Sequence, residues 1–78
     1  MKKQNKRESL LKNGQGQYRY LFNWVGGGFN DIWAKNLSEF KSELNRQFPG
    51  SKVDYTTLYK ATPTQSKNWD RIGDMMWN

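Results

Sequence analysis

Three groups of residues in this 78-residue chain have types and spacings that chemistry uses. The first is Gly26-Gly27-Gly28, inside "NWVGGGFNDIW" (Asn23 to Trp33). A glycine run of this kind can wrap a phosphate with backbone N–H groups. The second is a set of carboxylates spaced i, i+4: Asp70 with Asp74, and Glu39 with Glu43, each pair able to share one helix face and offer oxygen ligands to a cation. The third is a scatter of cations with aromatic neighbours: Arg19, Trp33, Lys35, Lys52 and Lys60 in the body, and Lys2, Lys3, Lys6, Arg7 and Lys12 near the start. Cations neutralise phosphates and flat rings stack on bases, which is the chemistry of nucleic-acid contact.

The first two groups fail their own tests. A Walker loop ends in Lys followed by Ser or Thr and opens a helix, but Phe29 and Asn30 follow the triplet and then another extended stretch. "GQGQY", Gly14 to Tyr18, lacks both the third glycine and the preceding strand of a dinucleotide fingerprint. The triplet therefore reads as a corner, because a three-residue hairpin loop needs a position of positive φ that glycine reaches without steric cost. Two carboxylates without further ligands, nucleophile or base make a weak metal site. Lys67 and Arg71 beside one pair, and Lys41 and Arg46 beside the other, give both the look of solvated helix faces. The chain has no cysteine and no histidine, so the usual zinc sites, a disulfide scaffold and the commonest general base are all absent. The expectation is a protein that is not an enzyme and takes no cofactor.

The third group is left, and its charge is unevenly placed. Residues 1–16 hold five basic residues against Glu8, a net of +4, leaving +2 of the formal +6 for residues 17–78. Residues 1–16 carry few large apolar side chains beyond Leu10 and Leu11 and end in "NGQG", the pattern of a flexible basic arm. Such an arm is either a solubilising terminus or a segment drawn to nucleic acid or another anionic surface. No apolar run approaches the length of a membrane span or a signal peptide, so a cytoplasmic, reducing setting is expected.

Residues 17–78 must position these groups, and at this length they form one small domain whose core has to be economical. Four Trp, four Tyr and four Phe supply it despite a mean hydropathy of −1.08. "QYRYLFNWV", Gln17 to Val25, predicts a strand with Tyr18, Tyr20, Phe22 and Trp24 on one side; "FNDIWAK", Phe29 to Lys35, predicts a second. In "NLSEFKSELNRQFPG", Asn36 is a candidate N-cap with Glu39 three residues on, while Leu37, Phe40, Leu44 and Phe48 recur on one helical face until Pro49-Gly50 stops it. "NLS" also matches a glycosylation acceptor, but a helix start explains it better in a cytoplasmic chain.

"KVDYTTLYK", Lys52 to Lys60, alternates and predicts a third strand. After Pro63, Trp69, Ile72 and Met76 fit one face of a short C-terminal helix or turn, with Gly73 weakening it. The elements order as β-β-α-β. A right-handed crossover gives a two-layer α+β domain: a three-stranded antiparallel sheet of order 2-1-3 packed on one helix.

If Val25 pairs with Phe29, then Tyr20, Phe22, Trp24, Ile32 and Ala34 meet the helix with Val53, Tyr55 and Tyr59. The opposite face then shows Arg19, Leu21, Asn23, Trp33, Lys35, Lys52, Thr56, Leu58 and Lys60 against only Asp31 and Asp54. That face suits a strand of nucleic acid. It is also what any single-layer antiparallel sheet displays; a C-terminal segment carrying Trp69 and Met76 could cover Trp33, and a one-residue slip would exchange the faces.

"YRYLFNWVGGGFNDIWAKNLSEFKSEL" resembles a group of small uncharacterised bacteriophage proteins in which an aromatic strand, glycines and "FN" lead to a second strand and a helix. The resemblance implies a phage-encoded accessory protein made in a bacterial cytoplasm, of a group that binds host machinery or DNA, and it transfers no catalytic residue. Two functions follow as expectations. One is nucleic-acid binding through the arm and the Arg19, Trp33, Lys35 face. The alternative is a docking inhibitor or modulator of a host polymerase, nuclease or defence complex, anchored by an exposed aromatic edge.

Overall fold

The computed structural model describes residues 8–77, with side-chain surroundings through Ile72. Strands β1 (Tyr18–Trp24) and β2 (Phe29–Ala34) lead into helix α1 (Leu37–Gln47), then strand β3 (Val53–Lys60) and helix α2 (Pro63–Trp77). The sheet is antiparallel and ordered β2-β1-β3, an α+β fold with the strand order expected from the sequence.

The glycine corner is a three-residue hairpin loop, placed one residue earlier than expected. Gly27 N–H donates to Trp24 O at 3.1 Å and Trp24 N–H donates to Gly28 O at 3.0 Å, so the loop is Val25-Gly26-Gly27. Trp24 faces Gly28, and Asn23 rather than Val25 pairs with Phe29. Gly27 has φ +107° and Gly28 +88°, a region where a Cβ is strained. Moving the loop by one residue moves the pairing by two, which leaves every side chain on its expected face. Tyr20, Phe22, Ile32 and Ala34 accordingly form the core with Phe40 and Leu44 of α1 and Val53 of β3. Ring centroids of Tyr20 and Phe22 lie 5.1 and 5.4 Å from that of Phe40, and Trp24 extends the chain to Phe48 at 5.3 Å. Each such pair contributes ~0.5–1.5 kcal/mol beyond the area it buries.

Helix α1 starts as its sequence predicts: Asn36 Oδ1 accepts from Glu39 N–H at 2.8 Å. The Glu39 carboxylate reaches back one residue beyond the cap, accepting from Lys35 N–H at 2.6 Å. Leu37, expected on the apolar face, is 44% exposed; Phe40 and Leu44 carry the packing. Gly50, at φ +83°, turns the chain back into the sheet.

Two departures reshape the surface. The first lies in β3. Between Leu21↔Tyr59 and Asn23↔Asp54, β1 advances two residues while β3 advances five, a wide bulge. Local side chains build it. Asp54 Oδ1 accepts from Thr56 N–H and Oγ1 at 3.1 and 2.6 Å, and Thr57 Oγ1 donates to Asp54 O at 2.6 Å. Thr57 Oγ1 then accepts from Asn23 N–H at 2.8 Å, standing in for a strand carbonyl. Three extra residues invert the alternation. Leu58, expected outside, packs against the core; Lys60 turns to the α1 side opposite Tyr20; and Tyr59 turns to the far side opposite Leu21.

The second departure concerns α2, the C-terminal helix expected as a short helix or turn, which extends over 15 residues and lies against the face expected to be open. Its start is a reciprocal capping box: Gln65 N–H donates to Thr62 Oγ1 at 3.1 Å and Thr62 N–H to Gln65 Oε1 at 2.9 Å, with Pro63 as the first helical residue. Trp69 meets Phe29 edge-on at 4.7 Å, and Leu21 beneath this side is 0% exposed. The sheet is therefore covered on both faces. Among the described residues no helix is long and apolar enough to cross a membrane.

Candidate nucleic-acid interface

The cations singled out in the sequence divide into four fates. Lys2, Lys3, Lys6 and Arg7 lie outside the described residues. Arg19 lies between β1 and α2 with its side chain 12% exposed. Its Nε donates to Asp31 at 2.9 Å, Nη2 to Asp70 at 2.9 Å and Nη1 to the buried Ser66 hydroxyl at 2.6 Å. Burial alone would lower its pKa, but Asp70 and Asp31 outweigh that cost and hold the guanidinium more firmly protonated. These bonds clasp α2 to the sheet and occupy donors on Nε, Nη1 and Nη2 of the guanidinium. Trp33, paired with Arg19 across the strands, is half-buried on the same side. Thus Arg19, Trp33 and Lys35 do not form the open surface expected: Arg19 is enclosed in the clasp and Trp33 is half-buried, while Lys35 is exposed.

Lys52 is exposed at the opposite end of β3 from Lys60. It shares a groove of about 350 Å³ at the hairpin tip with Trp24, Val25, Gly26 and Ser51.

Lys12 and Lys60 come together. The stretch "NGQGQ" folds back on itself: Asn13 Oδ1 accepts from Gln15 and Gln17 N–H, both at 2.9 Å, and Gly16 N–H donates to Asn13 O at 3.1 Å. That turn lays Lys12 opposite Tyr18 as an isolated bridge, and Leu11 N–H donates to Ala61 O at 2.9 Å just beyond β3. The segment expected as an arm over residues 1–16 therefore has its described part, residues 8–16, hydrogen-bonded to the domain.

Lys60 arrives from the other side because the β3 bulge has turned it there. Its Nζ lies 4.4 Å from the Tyr18 ring centroid, with Lys12 Nζ at 5.0 Å. Among the described residues no carboxylate is within ion-pair distance of either ammonium. A second pair lies on the same side of the sheet, Lys41 Nζ 5.7 Å from the ring of Tyr55, which is itself exposed. Tyr18 lies on the same side as Tyr20, as its alternation predicts, and packs at the edge of the core; what sequence reasoning missed is that the fold-back of residues 12–18 brings Lys12 to its ring.

Across β3 from this cluster runs a groove of about 540 Å³ lined by Glu8, Leu10, Tyr59, Lys60, Thr62 and Gln65. Tyr59 and Leu10 are 42% and 44% exposed. Glu8 accepts from Thr64 Oγ1 at 3.0 Å and Thr64 N–H at 3.4 Å, at the start of α2. Hydrogen bonding, first from the Thr62 side chain and then from Thr64, holds its carboxyl below the ordinary carboxylate range against a smaller burial cost.

The acidic pairs have structural work. Asp70 belongs to the Arg19 clasp and Glu39 caps α1. Glu43 takes Arg46 at 2.7 Å and Gln47 at 2.9 Å, and these bonds, Arg46 first, lower its pKa. The side chain of Asp74 lies outside the described set. Among the described residues no three potential metal ligands converge. The chain matches no family model, no curated protein and no solved structure.

Proposed function

We propose that the protein is a non-enzymatic accessory module that binds nucleic acid by its phosphate backbone, with Lys12 and Lys60 at Tyr18 as the anchoring site. The observation that carries this reading is the convergence of two ammoniums on one ring. A cation over an aromatic face gains only ~0.5–1 kcal/mol at an exposed site, which places the ammonium without neutralising it. Arg19, by contrast, has its charge matched by two carboxylates. The two ammoniums are no farther apart than the sum of their distances to the centroid, a span that neighbouring phosphates of a strand can bridge, since each strand carries a charge every ~3.4 Å of axis. Lys2, Lys3, Lys6 and Arg7, ahead of Glu8 in the chain, extend the same chemistry. The phage resemblance supplies the setting for this reading, a bacterial cytoplasm.

Fluorescence anisotropy with a labelled single strand tests it as salt is raised. Wild type should weaken steeply with salt, and the double substitution Lys12→Gln with Lys60→Gln should reduce the log–log slope by about 1.4, or ~0.7 for each lost phosphate contact. Affinity and slope left unchanged by the double substitution would overturn the anchoring site. Retention of one stoichiometric protein from nuclease-treated lysate, insensitive to salt, would replace the reading with docking on a host enzyme.

A further inference from the structure

The groove across β3 shares Lys60 with the Tyr18 cluster, and its lining differs in kind from a phosphate site. One wall is the exposed ring of Tyr59, with Leu10 beside it. The far rim is Glu8, whose carboxyl the Thr62 and Thr64 hydrogen bonds favour as the anion. A fixed negative charge repels a phosphate, whereas a flat, uncharged, largely apolar group finds a ring and an aliphatic side chain to lie against. Its size falls within the ~300–1,000 Å³ of ligand clefts.

Resting on the phosphate-binding reading above, we propose that this groove takes an unpaired nucleobase from the strand whose phosphates lie on Lys12 and Lys60, with Tyr59 as the stacking platform. The ligand is then single-stranded nucleic acid, because a base held in a duplex presents no free face to Tyr59. The β3 bulge makes the arrangement possible. It sends Lys60 to one side of the sheet and Tyr59 to the other, so that a strand crossing this edge meets a cation with its backbone and a ring with its base.

The test compares two labelled strands of equal phosphate count, about ten nucleotides each to fit within ordinary single-strand site sizes. One is oligothymidylate and the other carries abasic sites throughout. The full chain should bind oligothymidylate roughly tenfold more tightly than the abasic strand, in line with one stacked base. Tyr59→Leu, which keeps apolar bulk, should erase that preference while leaving affinity for the abasic strand within about twofold, the size of one exposed, weakly engaged side chain. Lys12→Gln with Lys60→Gln should weaken both strands together. Equal wild-type affinity for the two strands would overturn the base site and leave the phosphate reading standing. A preference that survives Tyr59→Leu would overturn Tyr59 as the platform. Failure to bind either strand would overturn both readings.

Discussion

Arg19 and Lys60 sit near one another on paired strands and carry the same charge, yet their surroundings set them to opposite tasks. Arg19 is enclosed by Asp31, Asp70 and Ser66, each satisfying a different part of the guanidinium fork. The Lys60 ammonium lies beside the rings of Tyr18 and Tyr20, and among the described residues no carboxylate is within ion-pair distance of it. A cation whose donors are all spent on the protein holds the fold together; a cation held by a quadrupole keeps its charge for something else. Counting basic residues on a sheet face cannot make that distinction. The difference lies in the partners: Arg19 meets groups from β2 and α2, whereas Lys60 meets the β1 rings of Tyr18 and Tyr20.

This contrast can be broken from the α2 side first. Leu21→Ala should cost about 3 kcal/mol by chemical denaturation, the expense of a cavity under a covered face. A cost below about 0.5 kcal/mol, typical of an exposed site, would mean that α2 does not cover this face. Arg19→Ala should follow at roughly 2 kcal/mol, since it leaves the half-buried Asp31 and the buried Ser66 without their shared donor. Strand affinity measured on the folded fraction should not change. Next, Thr62→Ala removes the α2 cap and should cost about 1 kcal/mol, read as a lower denaturation midpoint.

Lys12→Gln and Lys60→Gln sharpen the comparison from the other side. Stability should stay within about 0.5 kcal/mol of wild type, while the strand-binding slope drops. The smallest effect is acid release of the segment at Glu8. Because its folded pKa is depressed, the latch to Thr64 is intact above the ordinary carboxylate range and is lost as pH falls through the folded value. Amide exchange at Thr64, measured across that window relative to Phe40 in α1, should reveal the opening.

The strands, α1 and the sheet order were legible because each rests on a local signal that tertiary context did not contest: alternation in Tyr18 to Trp24, the Asn36 cap, the Gly27 corner. The hairpin even tolerated a misplaced loop, since a displacement of two in register preserves the faces. Strand β3 was different. Its alternation is genuine in the letters, but Asp54, Thr56 and Thr57 divert their hydrogen bonds to their own backbone, and an odd number of extra residues reverses everything after them. A short acidic residue followed by two threonines inside a strand was the available warning. The extent of α2 was also signalled, by Thr62-Pro63 with Gln65 in the third helical position. The Arg19 clasp was not, because it joins residues far apart in sequence through side chains that each look solvated when taken singly.

The break in β3 also separates two kinds of freedom. Val53, ahead of it, answers to the packed interior and can change little, while Tyr59 and Lys60, behind it, take their orientation from how many residues the detour contains. Lengthening or shortening that detour by a single residue would swap which of the two looks toward α1, without touching either residue's identity. The strand thus behaves as a parity switch, through which a one-codon insertion or deletion would rewrite the rim of the domain and withdraw Leu58 from the interior along with it.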